Sequence, residues 1–107
     1  MGDRASRGDG EAQFRLGLYY GSQLSGEPDL RQAVYWYGLA AQQGHPLAQY
    51  NLGVQYMTGK GIDRNPSKAL ECWLQAANAG HVHAQFNVGR AYSLGVGLEK
   101  NHLKARF

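Results

Sequence analysis

One nine-residue pattern governs what this chain can fold into, because it occurs three times at a constant step. The copies are AQFRLGLYY from Ala12, AQYNLGVQY from Ala48 and AQFNVGRAY from Ala84, 36 residues apart. Self-similarity at such a period predicts stacked units, each leaving an apolar face that its neighbour covers. Inside every copy the residues Ala12, Leu16 and Tyr20, then Ala48, Leu52 and Tyr56, then Ala84, Val88 and Tyr92 stand four apart, which puts each trio on one helical stripe. This element is helix A of the unit. A glycine interrupts it each time, at Gly17, Gly53 and Gly89, although a mid-helix glycine costs roughly 1 kcal/mol relative to alanine. The physical reason to accept that cost three times in register is close approach by another helix where a Cβ would stand.

The approaching helix, helix B, carries its own stripe: Ala33, Tyr37, Ala40 and Ala41, and one period later Ala69, Trp73, Ala76 and Ala77. Small residues alternate with one large aromatic, so two helices can nest while Tyr37 or Trp73 fills the space beyond the alanines. The boundaries repeat too. Asp29, Asn65 and Asn101 share an N-cap column, Pro66 follows at the first helical position, and Gly44 and Gly80 stand where a left-handed C-terminal cap belongs.

The run Ala48, Leu52-Gly53, Tyr56, Gly59-x-Gly61-Ile62, Asp63, Lys68-Ala69, Trp73, Ala76-Ala77 and Gly80 resembles the Sel-1-like repeat, a helical hairpin related to the tetratricopeptide repeat. The first unit fits at Ala12, Leu16, Gly17, Tyr20, Ala33, Tyr37, Ala40, Ala41 and Gly44, but its loop from Ser22 to Pro28 lacks the Gly-x-Gly of Gly59 and Gly61 or Gly95 and Gly97. The third fits to Ala105. The resemblance implies an all-α fold, a right-handed α-solenoid of stacked helix-turn-helix repeats, with units at about 10–45, 46–81 and 82–107, the last incomplete. It also implies an adaptor for protein complexes.

Residues 1–9, MGDRASRGD, are polar and without apolar period, and read as a disordered or cloning-derived tail. The Arg7-Gly8-Asp9 tripeptide within it is better explained by chance than by adhesion. No stretch approaches the roughly 20 apolar residues of a membrane span, so the expectation is a soluble chain. A single cysteine, Cys72, cannot form an internal disulfide, so nothing requires an oxidising compartment and a cytoplasmic setting is favoured. Its column-mate is Trp36, which points to a partly buried structural thiol and away from a nucleophile. His45 and His81 directly follow the cap glycines, where a polar residue ends one helix and begins the next. Together with His83 they lack the second ligand cluster that a zinc site needs. Neither metal nor cofactor is expected. The carboxylates fall at caps, loops and solvent faces, Asp63 and Glu99 sharing a column at the helix B entrance, and no nucleophile elbow or phosphate loop appears. The chain therefore does not read as an enzyme.

The net charge of +3 raises nucleic acid as an alternative partner, but Arg15, Arg31, Arg64 and Arg90 are scattered, and only Lys100, Lys104 and Arg106 cluster. The reading that fits best is an adaptor or scaffold module that holds a protein or peptide on the surface lined by the A helices. The alternative is a structural spacer in a longer array. On helix A, away from the Leu16 and Tyr20 stripe, two columns recur: Arg15, Asn51, Asn87, and Tyr19, Gln55, Ala91, with Arg90 adjacent. Asparagine and glutamine amides can clasp a peptide backbone and Arg15 an acidic group; equally, Asn51 and Asn87 could bridge turns within the stack. A third helix B beginning at Asn101 lacks its aromatic, which would stand at 109. The expectation there is fraying or self-association through the C-terminal end.

Overall fold

A computed structural model describes residues 8–22 and 26–95. Over these the chain forms five α-helices and no strand: α1 Gly10–Gly21, α2 Leu30–Gln42, α3 Pro46–Thr58, α4 Pro66–Asn78 and α5 Val82–Leu94. The A helices of the sequence pattern are α1, α3 and α5, and the B helices are α2 and α4. Each helix packs on the next in the chain, the arrangement of an α-helical repeat solenoid. No described helix is long and apolar enough to cross a membrane.

The stripes explain why the helices stack as they do. Ala33, Ala40, Ala48, Ala69, Ala76 and Ala84 are fully buried, so backbones meet closely and the larger side chains fill the flanks. Phe14, Val34, Tyr37 and Leu52 join the alanines of α2 and α3 in one cluster, with Tyr56, Ile62 and Cys72 packed against it. Trp73, Ala76 and Ala84 form the equivalent cluster one unit on. At Gly17 an added Cβ would lie 2.5 Å from the Tyr37 ring, and at Gly53 it would lie 2.4 Å from Trp73 Nε1. The helix A glycine is therefore the slot for the helix B aromatic. Gly89 has nothing within 4 Å among the described residues.

Turns repeat atom for atom. At the end of α2, Gly44 adopts φ +83° while its N–H donates to Ala41 O at 3.0 Å and the His45 N–H donates to Ala40 O at 3.1 Å. Gly80 and His81 do the same toward Ala77 and Ala76, satisfying carbonyls that a helix end leaves open. Between the helices of a unit, the Asp29 N–H donates to Tyr20 O at 2.7 Å and the Asn65 N–H to Tyr56 O at 2.8 Å. Asp29 and Asn65 then accept from the amides of Gln32 and Lys68 at 3.1 Å. Gly61 shows why the second inter-helix loop needs glycine. Its φ is +77°, and a Cβ there would stand 2.4 Å from Leu30 O, where the loop crosses the start of α2.

The boundary expected after residue 9 shifts. Asp9 is the N-cap of α1, its carboxylate accepting from the Ala12 N–H at 3.0 Å, and Gly8 before it has φ +87°. Gly8 thus occupies the left-handed column of Gly44 and Gly80, and the carboxylate of the Arg7-Gly8-Asp9 tripeptide is engaged in capping a helix. The expected third helix B from Asn101, with Gly97, Glu99, Lys100, Lys104, Ala105 and Arg106, lies outside the described residues.

Candidate interaction clefts

Between consecutive A helices the stack leaves two clefts related by the repeat. The first, about 320 Å³, is lined by Gly21 of α1, Ala33 and Tyr37 of α2, and Tyr50, Asn51, Val54 and Gln55 of α3. The second, about 190 Å³, is lined by Met57 of α3, Trp73 of α4, and Asn87, Arg90, Ala91 and Leu94 of α5. Adding 36 to Gly21, Tyr37, Asn51, Val54 and Gln55 gives Met57, Trp73, Asn87, Arg90 and Ala91. The same cleft is therefore built twice. The helix B aromatic forms its floor because it is held in the glycine slot, and the Trp73 indole is tied further by donating from Nε1 to Tyr50 O at 3.2 Å.

Of the candidate partner-binding residues, Asn51 and Gln55 meet in the first cleft, and Asn87 and Arg90 in the second. Arg15 and Tyr19 occupy the same columns on α1, outside both clefts. Arg15 is exposed and donates from Nε to Glu11 at 3.1 Å, and Tyr19 packs edge-on against Tyr20. Ala91, grouped with the outward-facing column in the sequence reading, is instead buried against Leu70. Its methyl is small enough for α5 to close on α4 at that point.

The two asparagines differ in their partners. Asn51 hydrogen-bonds the Tyr37 hydroxyl, whose pKa burial raises and this bond partly restores. In the second cleft Trp73 replaces the tyrosine, its one donor is already used, and the Asn87 side chain has no hydrogen bond among the described residues. Arg90 lies 6.0 Å from the Phe86 ring centroid and has no carboxylate partner among the described residues. Cys72 is half-buried on α4, and its pKa is pushed up to about 11, chiefly by burial, as expected of a thiol with a structural place.

The histidines have a more particular role than a polar turn residue. His45 Nδ1 accepts from the Ala48 N–H at 3.3 Å, and His81 Nδ1 accepts from the Ala84 N–H at 3.1 Å. Their rings also stack on Phe14 and Tyr50 with centroids 4.6 Å apart in both cases. With Nδ1 accepting, His45 carries its proton on Nε2 and donates it to Glu11 at 2.6 Å, which, with help from Arg15, lowers the Glu11 pKa. Each such histidine therefore caps one helix A and clamps the preceding one. Phe14 and Tyr50, which share a column with Phe86, were the available signal, standing 31 residues before His45 and His81. A second missed column is Gln49 and Gln85, whose amides donate to Ala41 O and Ala77 O at 3.2 Å and tie helix A to the end of the helix B before it.

Comparison with known families now gives a decisive match, since the Sel1 repeat model fits residues 10–45, 46–81 and 82–107. The chain belongs to the Sel1 repeat family. Among solved structures it is similar to a Sel1 repeat protein from Oxalobacter formigenes, with a TM-score of 0.84 and 34% identity over 92% of this chain. It is also similar to a protective antigen of uropathogenic Escherichia coli strains that displays an SLR fold, with a TM-score of 0.83 and 38% identity over 95% of this chain. The match covers 41% of the first of those proteins and 22% of the second. A search of curated proteins returns no significant match. Sel1 repeats are a non-catalytic scaffold family that generally mediates protein–protein interaction.

Proposed function

We propose that this Sel1 repeat domain is an adaptor that holds a protein or peptide partner along the A-helix side of the stack, in the two repeat-related clefts. The observation that carries this reading is the recurrence of one cleft, floored by Tyr37 and then by Trp73, with polar side chains at its edge each time. A rigid aromatic floor offers apolar contact at little entropic cost, and neighbouring amides can donate to and accept from a peptide backbone. The cleft residues stand on helices whose ends are fixed by the repeated caps, so the binding surface is set before a partner arrives and less ordering cost falls on association.

The test is photocrosslinking from defined positions. A photoreactive amino acid at Gln55, in the first cleft, is expected to capture a discrete protein from extracts of the source cells after nuclease treatment. The same group at Tyr35, on the α2 face opposite Tyr37 because two residues turn a helix by about 200°, is expected to capture none. Crosslinks from Tyr35 alone would place the partner on the other face and defeat the cleft assignment. Loss of all crosslinks on nuclease treatment would favour nucleic acid, and absence of crosslinks from both positions would favour a spacer.

A further inference from the structure

The two clefts are equivalent in position but not in chemistry, and the difference identifies what the second one can hold. Gly21, Tyr37, Val54 and Gln55 in the first become Met57, Trp73, Arg90 and Ala91 in the second. The result is an apolar slot with one cation and one amide at its edge. Val54 lines the first cleft and also packs against the Trp73, Ala76 and Ala84 cluster of the following unit. Arg90 occupies that column, its guanidinium resting near the Phe86 ring and lacking a carboxylate partner among the described residues. Beside it, the Asn87 amide is also without a hydrogen bond among them.

We propose that the second cleft binds a carboxylate borne next to a bulky apolar side chain in a peptide, an inference that rests on the interaction reading above. The apolar side chain enters between Met57, Trp73 and Leu94, and the carboxylate is held by Arg90 and Asn87. The volume suits one such group, since a cavity of about 150 Å³ accommodates benzene and this one is about 190 Å³. A guanidinium presents parallel donors that match a carboxylate, and stacking against an aromatic face limits its wandering. Asn87 adds a neutral donor. The first cleft, with Tyr37, Asn51 and Gln55 and no charge, has nothing to favour an anion. The carboxylate can be the peptide's own terminus or an acidic side chain beside the apolar residue, and the chemistry at Arg90 is the same.

Titration of the 107-residue protein with small probes, followed by ¹H–¹⁵N spectra, tests this directly. The probes are N-acetyl-leucine, N-acetyl-leucinamide and N-acetyl-glutamyl-leucinamide. The Trp73 indole N–H and the Asn87 side-chain amide are expected to shift with N-acetyl-leucine, while the Trp36 indole stays still. The amide probe is expected to bind about tenfold more weakly, the loss typical of one charge-assisted hydrogen bond. Binding of N-acetyl-glutamyl-leucinamide at the strength of N-acetyl-leucine would support the proposal with an acidic side chain as source; binding only by N-acetyl-leucine would support it with a chain terminus. Arg90→Gln, at an exposed position whose loss leaves the other resonances in place, is expected to reduce affinity for the acid to that for the amide. Equal binding of acid and amide, an acid affinity unchanged by Arg90→Gln, or no movement at Trp73 would overturn the carboxylate site. The adaptor reading would survive any of these if the Gln55 crosslinks persist, because those are measured in the other cleft.

Discussion

Replacing Gly53 by alanine tests the packing scheme at its tightest point. A Cβ on Gly53 would stand 2.4 Å from Trp73 Nε1, 2.5 Å from its Cδ1 and 3.1 Å from Ala69 O. None of these can yield cheaply. Trp73 is only 7% exposed and its indole donates to Tyr50 O, while Ala69 O belongs to the α4 backbone. Overpacking of a filled core costs about 1–3 kcal/mol, and a shifted indole would lose a hydrogen bond worth about 1 kcal/mol. The gain in helix propensity returns about 1 kcal/mol. The net expectation is a loss of about 1–3 kcal/mol, which for a domain of this size lowers Tm by about 5–20 °C. Gly89 is the control inside the same molecule: it has the same place in its helix and nothing within 4 Å among the described residues. Gly89→Ala should therefore show only the propensity gain, up to about 1 kcal/mol. Thermal melting by circular dichroism reads both variants. A Gly53→Ala protein that melts at or above the parent would mean that the Trp73 ring does not occupy the glycine slot.

Two further outcomes follow from single contacts. His81→Ala removes both an N-cap acceptor, worth about 1 kcal/mol, and a ring stacked on Tyr50, worth about 0.5–1.5 kcal/mol. His81→Asn keeps the acceptor and should recover roughly the cap share in urea denaturation, whereas equal losses for the two variants would show that the ring alone matters. The Cys72 pKa is raised from 9.0 to about 11, so the folded state favours the neutral thiol. That contribution is complete below pH 9 and fades as pH rises toward 11. Tyr37, also raised by burial, acts in the same direction nearby. Tm should consequently fall more steeply between pH 9 and 11 in the parent than in Cys72→Ala, and identical slopes would place the thiol in contact with water.

The framework was legible in the sequence because three copies in register expose each structural demand. A glycine inside one helix is ambiguous, but Gly17 and Gly53 paired with aromatics 20 residues later at Tyr37 and Trp73 admit a single geometry. The caps were legible for the same reason, as Asp29 and Asn65 each precede a helix that needs an acceptor. Side-chain direction around helix A was harder to read. Asn51, Val54, Gln55 and the following Thr58 share one side of α3, and whether such a residue meets solvent or a neighbouring helix depends on side-chain volume across the gap. Ala91 shows this, since alanine in the Gln55 column lets α5 approach Leu70 and removes the position from the surface. The histidine clamp was missed because its two halves, Phe14 with His45 and Tyr50 with His81, stand at opposite ends of a repeat unit and only the stacking brings them together.

The same internal repetition separates what packing demands from what it leaves free. Positions that close the stack keep their residue from the first unit to the second: Gly17 and Gly53, Ala33 and Ala69, Ala40 and Ala76, Ala41 and Ala77, Gly44 and Gly80. The positions that line both clefts do not, except for the asparagine at Asn51 and Asn87. That exception is informative because the two do different work. Asn51 meets a tyrosine hydroxyl, whereas Asn87 faces an indole whose only donor is already engaged with Tyr50. Bridging within the stack therefore accounts for Asn51 and leaves Asn87 unexplained. An amide kept where it has no partner among the described residues, beside an arginine in the same condition, is what an external hydrogen-bonding group would require, and the apolar wall of Met57, Trp73 and Leu94 gives that group a body to bury.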